Sequence, residues 1–275
     1  MSTTVPRFFG VAGLPRAGST LVCQILGQHP DIDWNGQSSP LCNSLLNIRR
    51  SISDDEFFLA QLDRGFDGAY ERLTAAMKGY LRGWCGGGDK AVVIDKNRAW
   101  LQCIELLLTL APEAKLVICL RDPVQIYGSV EAKHQKTILV DFADHLADYD
   151  RLGRADMLFA KDKVIGAPMV SIAAIQDLPD VVKEKIMFIK FEDVMANPQR
   201  LAAELYAWAG VAAHTIDPQH LSVPITESDS YYRMKFTHRL TSSIEAPKLH
   251  DVPKRIKDLI HAAYPWFYQL YYPGQ

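Results

Sequence analysis

GLPRAGSTLVCQIL, residues 13–26, decides how the rest of the chain is read. Two glycines, Gly13 and Gly18, stand five positions apart and are followed by Ser19 and Thr20. The nucleotide-hydrolase loop G-x-x-x-x-G-K-[ST] carries a lysine directly after its second glycine, to reach the outer phosphates of a triphosphate. Here that position is Ser19, and Arg16 sits inside the loop. Before it, Phe8–Ala12 (FFGVA) reads as a short buried strand. After it, Leu21, Ile25 and Leu26 fall at helical spacing over Ser19–Gln28, and His29-Pro30 closes the helix. Strand, glycine loop and helix in that order aim the free N–H groups of a helix N-terminus, and its positive dipole end, at an anion. Pro15 stiffens the loop, Gly18 lets the backbone approach, and the Arg16 guanidinium matches phosphate or sulfate oxygens.

Working outward, the same alternation repeats. Helical segments are expected from about Leu41 to Trp84, a turn at 86–88, and a second strand at Ala91–Ile94 ending in Asp95-Lys96-Asn97-Arg98. A helix over Trp100–Leu110 leads to a strand at Lys115–Leu120, ending in Arg121-Asp122-Pro123. A fourth strand is expected at Ile186–Phe191, followed by a helix over Gln199–Ala209. Continuous apolar runs alternating with helices predict an α/β fold, a P-loop-type parallel β-sheet flanked by helices on both faces. Ligands of such sheets bind at the carboxyl ends of the strands, where all three polar motifs fall. We expect one domain, 1–275, whose tail from Val211 is less regular and folds over or beside the site.

Composition sets the bounds. The chain has 275 residues, 48% hydrophobic and 23% charged, with a formal net charge of -2, so it can bury a substantial core and carries no global field for nucleic acid. No apolar run approaches a membrane span, and a cytoplasmic protein is expected. Cys23, Cys42, Cys85, Cys103 and Cys119 form no C-x-x-C pair and read as reduced packing residues.

The second motif is RDPVQIYGSVEAKH, Arg121–His134. Ser129 lies about two helical turns beyond Arg121, and Lys133 one further turn on. The three suit a second phosphate. GLPRAGSTL followed by LRDPVQIYGSV resembles the paired nucleotide motifs of sulfotransferases that use 3′-phosphoadenosine 5′-phosphosulfate (PAPS). HPDIDWNGQSS and IDKNRAW are similar to segments of the bacterial members related to protein-tyrosine sulfotransferases. The likeness runs from about Phe8 to Pro198, and more weakly to Thr241. It implies that Arg16, Ala17, Gly18, Ser19 and Thr20 hold the 5′-phosphosulfate and that Arg121 and Ser129 hold the 3′-phosphate, with Lys133 at a position that is basic in the tyrosine-sulfating relatives. Phe191 stands where those relatives place an aromatic residue near the adenine; a core phenylalanine closing its strand is the other reading. Lys96 matches a lysine at the reacting sulfonate, suited to neutralising charge on the leaving oxygen. PAPS is the implied donor, with adenosine 3′,5′-bisphosphate (PAP) as product and no metal.

The pattern departs from the family at the general base. Gln37 occupies the position of the relatives' glutamate, and an amide cannot accept a proton. His238 is the first substitute, Asp33 the second, and His134 also stands near the second motif. Lys235 and Arg239 bracket His238 and are expected to close over the phosphates. The acceptor is expected to be a small molecule, lipid or saccharide. Two other readings compete: a P-loop kinase-like phosphoryl transferase, and a binding module that keeps the nucleotide site without chemistry.

Overall fold

The apolar runs of the sequence become the strands of one parallel sheet. The computed structural model describes residues 7–34, 36–86, 89–141, 145–223, 227–228, 237–238, 241–245 and 248–274. β1 is Arg7–Gly13, and six of its seven residues are buried. The loop then enters α1, Ser19–Leu26, and the chain returns through the two-residue β2, Ile32–Asp33. The long helical stretch divides into α2 (Leu41–Ser53), α3 (Glu56–Arg64) and α4 (Phe66–Cys85). Asp55 ends the first of these breaks by capping α3, its side chain accepting from the Phe58 N–H. Gly65 makes the second.

β3, Val92–Lys96, is followed by a 3-10 turn, Arg98–Gln102, and then α5, Ile104–Leu110. The single helix expected over Trp100–Leu110 is thus two pieces. Asn97 caps the tight turn through the Ala99 N–H, and the Trp100 indole donates to Asp95 at 2.7 Å, which fixes the turn against β3. β4 is Lys115–Leu120, and α6, Pro123–Lys136, follows with Asp122 as N-cap and Pro123 in the first turn, the favoured start signal. α7 (Arg151–Phe159), α8 (Gly166–Ile175) and α9 (Asp180–Lys183) lead to β5, Ile186–Lys190. Phe191 opens α10, Phe191–Ala196, rather than closing the strand, and α11, Pro198–Ala209, follows. In the tail, β6 (Glu227–Ser228) pairs antiparallel with β7 (Thr237–His238), and two helices follow, α12 (Lys254–Ala263) and α13 (Pro265–Tyr271).

The sheet order is β2-β3-β1-β4-β5, with every pair parallel. β1 is central, with β3 on one side and β4 on the other, so the connections diverge at its carboxyl end. That divergence opens the crevice in which such sheets bind ligands. Register sets the heights: Val11 pairs with Lys96 and Gly13 with Cys119, so the loop, Lys96 and Arg121 all meet at the same rim. One hydrophobic core reaches from Phe8 to Tyr272, with Trp100, Tyr127, Tyr206 and Phe267 fully buried in it.

Candidate active site

Strand β1 is carried one residue past its end by Leu14, whose N–H donates to the Cys119 carbonyl at 2.9 Å. The loop then turns sharply. Arg16 has φ 60° and Gly18 has φ 80°, both in the left-handed region. For arginine this conformation costs about 1–2 kcal/mol. It is held by the second motif: Arg121 Nη1 donates to the Arg16 carbonyl at 3.0 Å, and Arg16 Nε donates to Ser129 Oγ at 3.3 Å. Two stretches more than a hundred residues apart are therefore tied together through a strained residue and a guanidinium. α1 starts at Ser19 with no side-chain cap and no acidic residue in its first turn, leaving its amides to an anion.

Lys96, at the end of β3, is buried and donates to Thr20 Oγ1 at 2.8 Å. Its neighbour Asp95 points to the opposite face of the sheet, as alternation along a strand requires. There burial raises its pKa, against hydrogen bonds from Ser39, Trp100 and Trp84 that lower it. Asp95 thus secures the scaffold, while Lys96 faces the loop. Phe191 is half-buried. A Cβ placed on Gly18 would stand 2.7 Å from its ring, and the Arg121 guanidinium carbon lies 4.7 Å from the ring centroid. The aromatic residue therefore walls the loop from the β5 side and stacks on the guanidinium.

Arg121 is buried, and its Nε has no hydrogen-bond partner among the described residues. Burial lowers its pKa, Glu192 raises it and Arg16 lowers it further. The acids nearest to it are occupied: the Tyr268 hydroxyl donates to Asp122 Oδ1 and the Tyr272 hydroxyl to Glu192 Oε2, each at 2.8 Å. These tail tyrosines escaped the sequence reading, because no local pattern joins them to residues 122 and 192. The Thr20–Lys96 bond escaped it for the same reason. Ser129 is buried on α6 and Lys133 is half-buried one turn beyond it.

The candidate bases are placed less uniformly. Gln37 is exposed, and its neighbour Ser38 forms a parallel bridge with Lys96, so the chain at Gln37 runs beside the carboxyl end of β3. Asp33 is exposed on β2 level with Val93, three residues before Lys96 and therefore about 10 Å below it along the sheet. His134 is buried on α6. His238 lies in β7 opposite Glu227, while Lys235 and Arg239 lie outside the described residues. Arg98 lines a cavity of about 430 Å³ with Lys163 and Ser171 beside the 3-10 turn. Among the described residues, no group of three or more His, Cys, Asp or Glu side chains could hold a metal ion, and no helix is long and apolar enough to cross a membrane.

Comparison with known proteins points to one family. Residues 7–215 match the sulfotransferase family. The nodulation protein NoeE of Sinorhizobium fredii is 24% identical over 260 residues, covering 84% of this chain and 55% of NoeE, so the chain spans about half the length of that curated relative. A sulfotransferase from Alicyclobacillus acidocaldarius has a similar fold, with a TM-score of 0.53 at 16% identity over 96% of this chain and 92% of its own. The sulfotransferase STF9 from Mycobacterium avium gives a TM-score of 0.51 at 16% identity over 98% and 78%.

Proposed function

The chain belongs to the sulfotransferase family, and from that premise we propose that it moves a sulfuryl group from PAPS to a hydroxyl or amine, leaving PAP. One observation carries the reading. Two anion-binding centres, the loop with Lys96 and the Arg121–Ser129 pair, are joined by the hydrogen bonds that run through Arg16. A donor with a 5′-phosphosulfate and a separate 3′-phosphate has the two anionic ends that such a site requires. The unpartnered buried Nε of Arg121 fits the same ligand, since a buried guanidinium N–H left without an acceptor is costly unless an anion satisfies it.

In this reading Arg16, Ala17, Gly18, Ser19 and Thr20 bind the phosphosulfate, and Arg121, Ser129 and Lys133 bind the 3′-phosphate. Phe191 offers its open ring surface to the adenine. The acceptor attacks in line with the breaking S–O bond. Lys96, oriented by Thr20, neutralises charge developing on the bridging oxygen. His238 takes the acceptor's proton, since an imidazole titrates near neutral pH; Asp33 is the second candidate. The acceptor is a small molecule, lipid or saccharide. All five cysteines are free, four of them buried, which supports a reducing, cytoplasmic setting.

Calorimetry with PAP, and separately with ATP and magnesium, tests the donor site in the wild type and in Arg121→Ala. The expected outcome is PAP binding that collapses in the variant, with no binding of ATP. Preference for ATP with magnesium, or indifference to Arg121, would overturn the reading.

A further inference from the structure

The tail crosses the N-terminal half of α6 at residues 248–252, and α6 is built to receive it. Gln125 grips the main chain at two points: the His250 N–H donates to its Oε1 at 2.9 Å, and its Nε2 donates to the His250 carbonyl at 3.3 Å. A turn further along α6, Gly128 provides a bare seat. Any side chain there would strike the His250 Cβ, and its Cβ would come 3.0 Å from Val252 Cγ2. Val252 is fully buried at this contact. His250 is thus fixed by its backbone against the residue preceding Ser129, the hydroxyl that accepts from Arg16.

Its side chain is half-buried. The largest charge effects on it come from cations on four elements: Arg121 from the end of β4, Arg16 from the loop, Lys136 from α6 and Lys248 from the tail. Burial first, and then these four charges, lower its pKa. A half-buried ring seated on α6, with these cations as its strongest charged influences, is an arrangement that an anion completes.

We propose that His250 is a further binding residue for the 3′-phosphate, neutral in the free protein and protonated when that phosphate arrives, so that donors carrying the 3′-phosphate are selected over those lacking it. This rests on the PAPS reading of the site. A phosphate dianion beside the ring reverses the local field and favours the imidazolium, so binding draws a proton from solvent at neutral pH. The ring nitrogen that takes up the proton changes from acceptor to donor, and the phosphate gains a charge-assisted hydrogen bond.

The test compares PAP with adenosine 5′-monophosphate, which lacks the 3′-phosphate, in the wild type and in His250→Gln. Calorimetry in two buffers of different ionisation enthalpy reads the protons exchanged. Because the tail is held through its main chain, the variant is expected to melt with the wild type. Expected results are a loss of about tenfold in PAP affinity, an unchanged affinity for the monophosphate, and loss of the proton uptake that the wild type displays with PAP. An equal loss for both nucleotides, no loss for either, or the same proton exchange in both proteins would overturn the assignment. Arg121-dependent PAP binding that ignores His250 sinks this inference alone, whereas no PAP binding to the wild type removes the donor reading with it.

Discussion

Lys96 and Thr20 stand 76 positions apart, yet the bond between them fixes the ammonium at the mouth of the loop. In the proposed reaction this buried cation would stand beside the sulfonate, where water cannot screen it, and such interactions are among the largest single terms in catalysis. Lys96→Met keeps the volume of the side chain and removes its charge. Sulfuryl release from PAPS is expected to slow by about 10²–10³, with PAP affinity reduced much less. A variant that turns over like the wild type would exclude Lys96 from the chemistry. Gly18 makes a different residue-scale demand. Its φ of 80° and the nearby Phe191 ring exclude a side chain for two separate reasons. Gly18→Ala is expected to lose more than tenfold in PAP affinity, combining a left-handed backbone penalty of about 1–2 kcal/mol with displacement of the ring. Adding Phe191→Ala separates the two: recovery assigns the loss to the ring, and no recovery assigns it to the backbone.

α6 carries the proposed second anion centre, and a buried ion pair ties it to α7. Arg154 of α7 donates to both oxygens of Glu131 through Nε at 2.8 Å and Nη2 at 2.7 Å. Burial alone would push the Glu131 carboxyl up, but hydrogen bonds from Arg154 and Gln135 and the charges of Arg154 and Arg151 outweigh it and hold the pKa below its ordinary 4.5. The native pKa lies below the unfolded one, so the pair's contribution is fully present above the ordinary value and fades as pH falls through the lower native one. Glu131→Gln should therefore cost about 3–5 kcal/mol at pH 7, because it strands a buried guanidinium. Urea midpoints of the two proteins are expected to converge as pH is lowered into the acid range; a constant gap would contradict this linkage. Elements of this kind were only partly legible in the sequence. β4 spans Lys115–Leu120, the same residues as its apolar run, because a strand buried on both faces needs little beyond continuous hydrophobicity. β2 is only two residues long and shows no periodicity, and α7 and α8 follow a stretch with no turn signal strong enough to delimit them. The break at Cys103 depends on an indole reaching back to Asp95, a contact that helical spacing does not encode.

Across the whole molecule, what could be read of the site is what lies within one motif. The loop, Arg121 and Ser129 each stand out as candidates through neighbours a few positions away, and the fold brings them together. The partners that tune them arrive from the far end of the chain, and pairing across such separations is settled by packing. α13 is the clearest case. It carries Tyr268 to Asp122, and one residue beyond its end Tyr272 reaches Glu192. Burial raises the pKa of both phenols, and the neighbouring carboxylates raise it further, so both remain donors at any working pH. Glu192 is also the acid whose field most favours the charged form of Arg121. While the Tyr272 hydroxyl satisfies it, the guanidinium is left for an incoming anion. Tyr272→Phe removes that hydroxyl without opening a cavity, and the released carboxylate then competes with phosphate for Arg121. PAP affinity is expected to fall about tenfold, the worth of one hydrogen bond to a charged group, with a melting temperature within a few degrees of the wild type. Tyr271→Phe is the matched control, since that hydroxyl accepts from the Gln176 side chain rather than donating to an acid, and it should leave PAP binding unchanged. Equal effects from the two substitutions would mean that the tail acts only through packing; a loss confined to Tyr272 would mean that the residue following α13 sets the charge available at the proposed anion site.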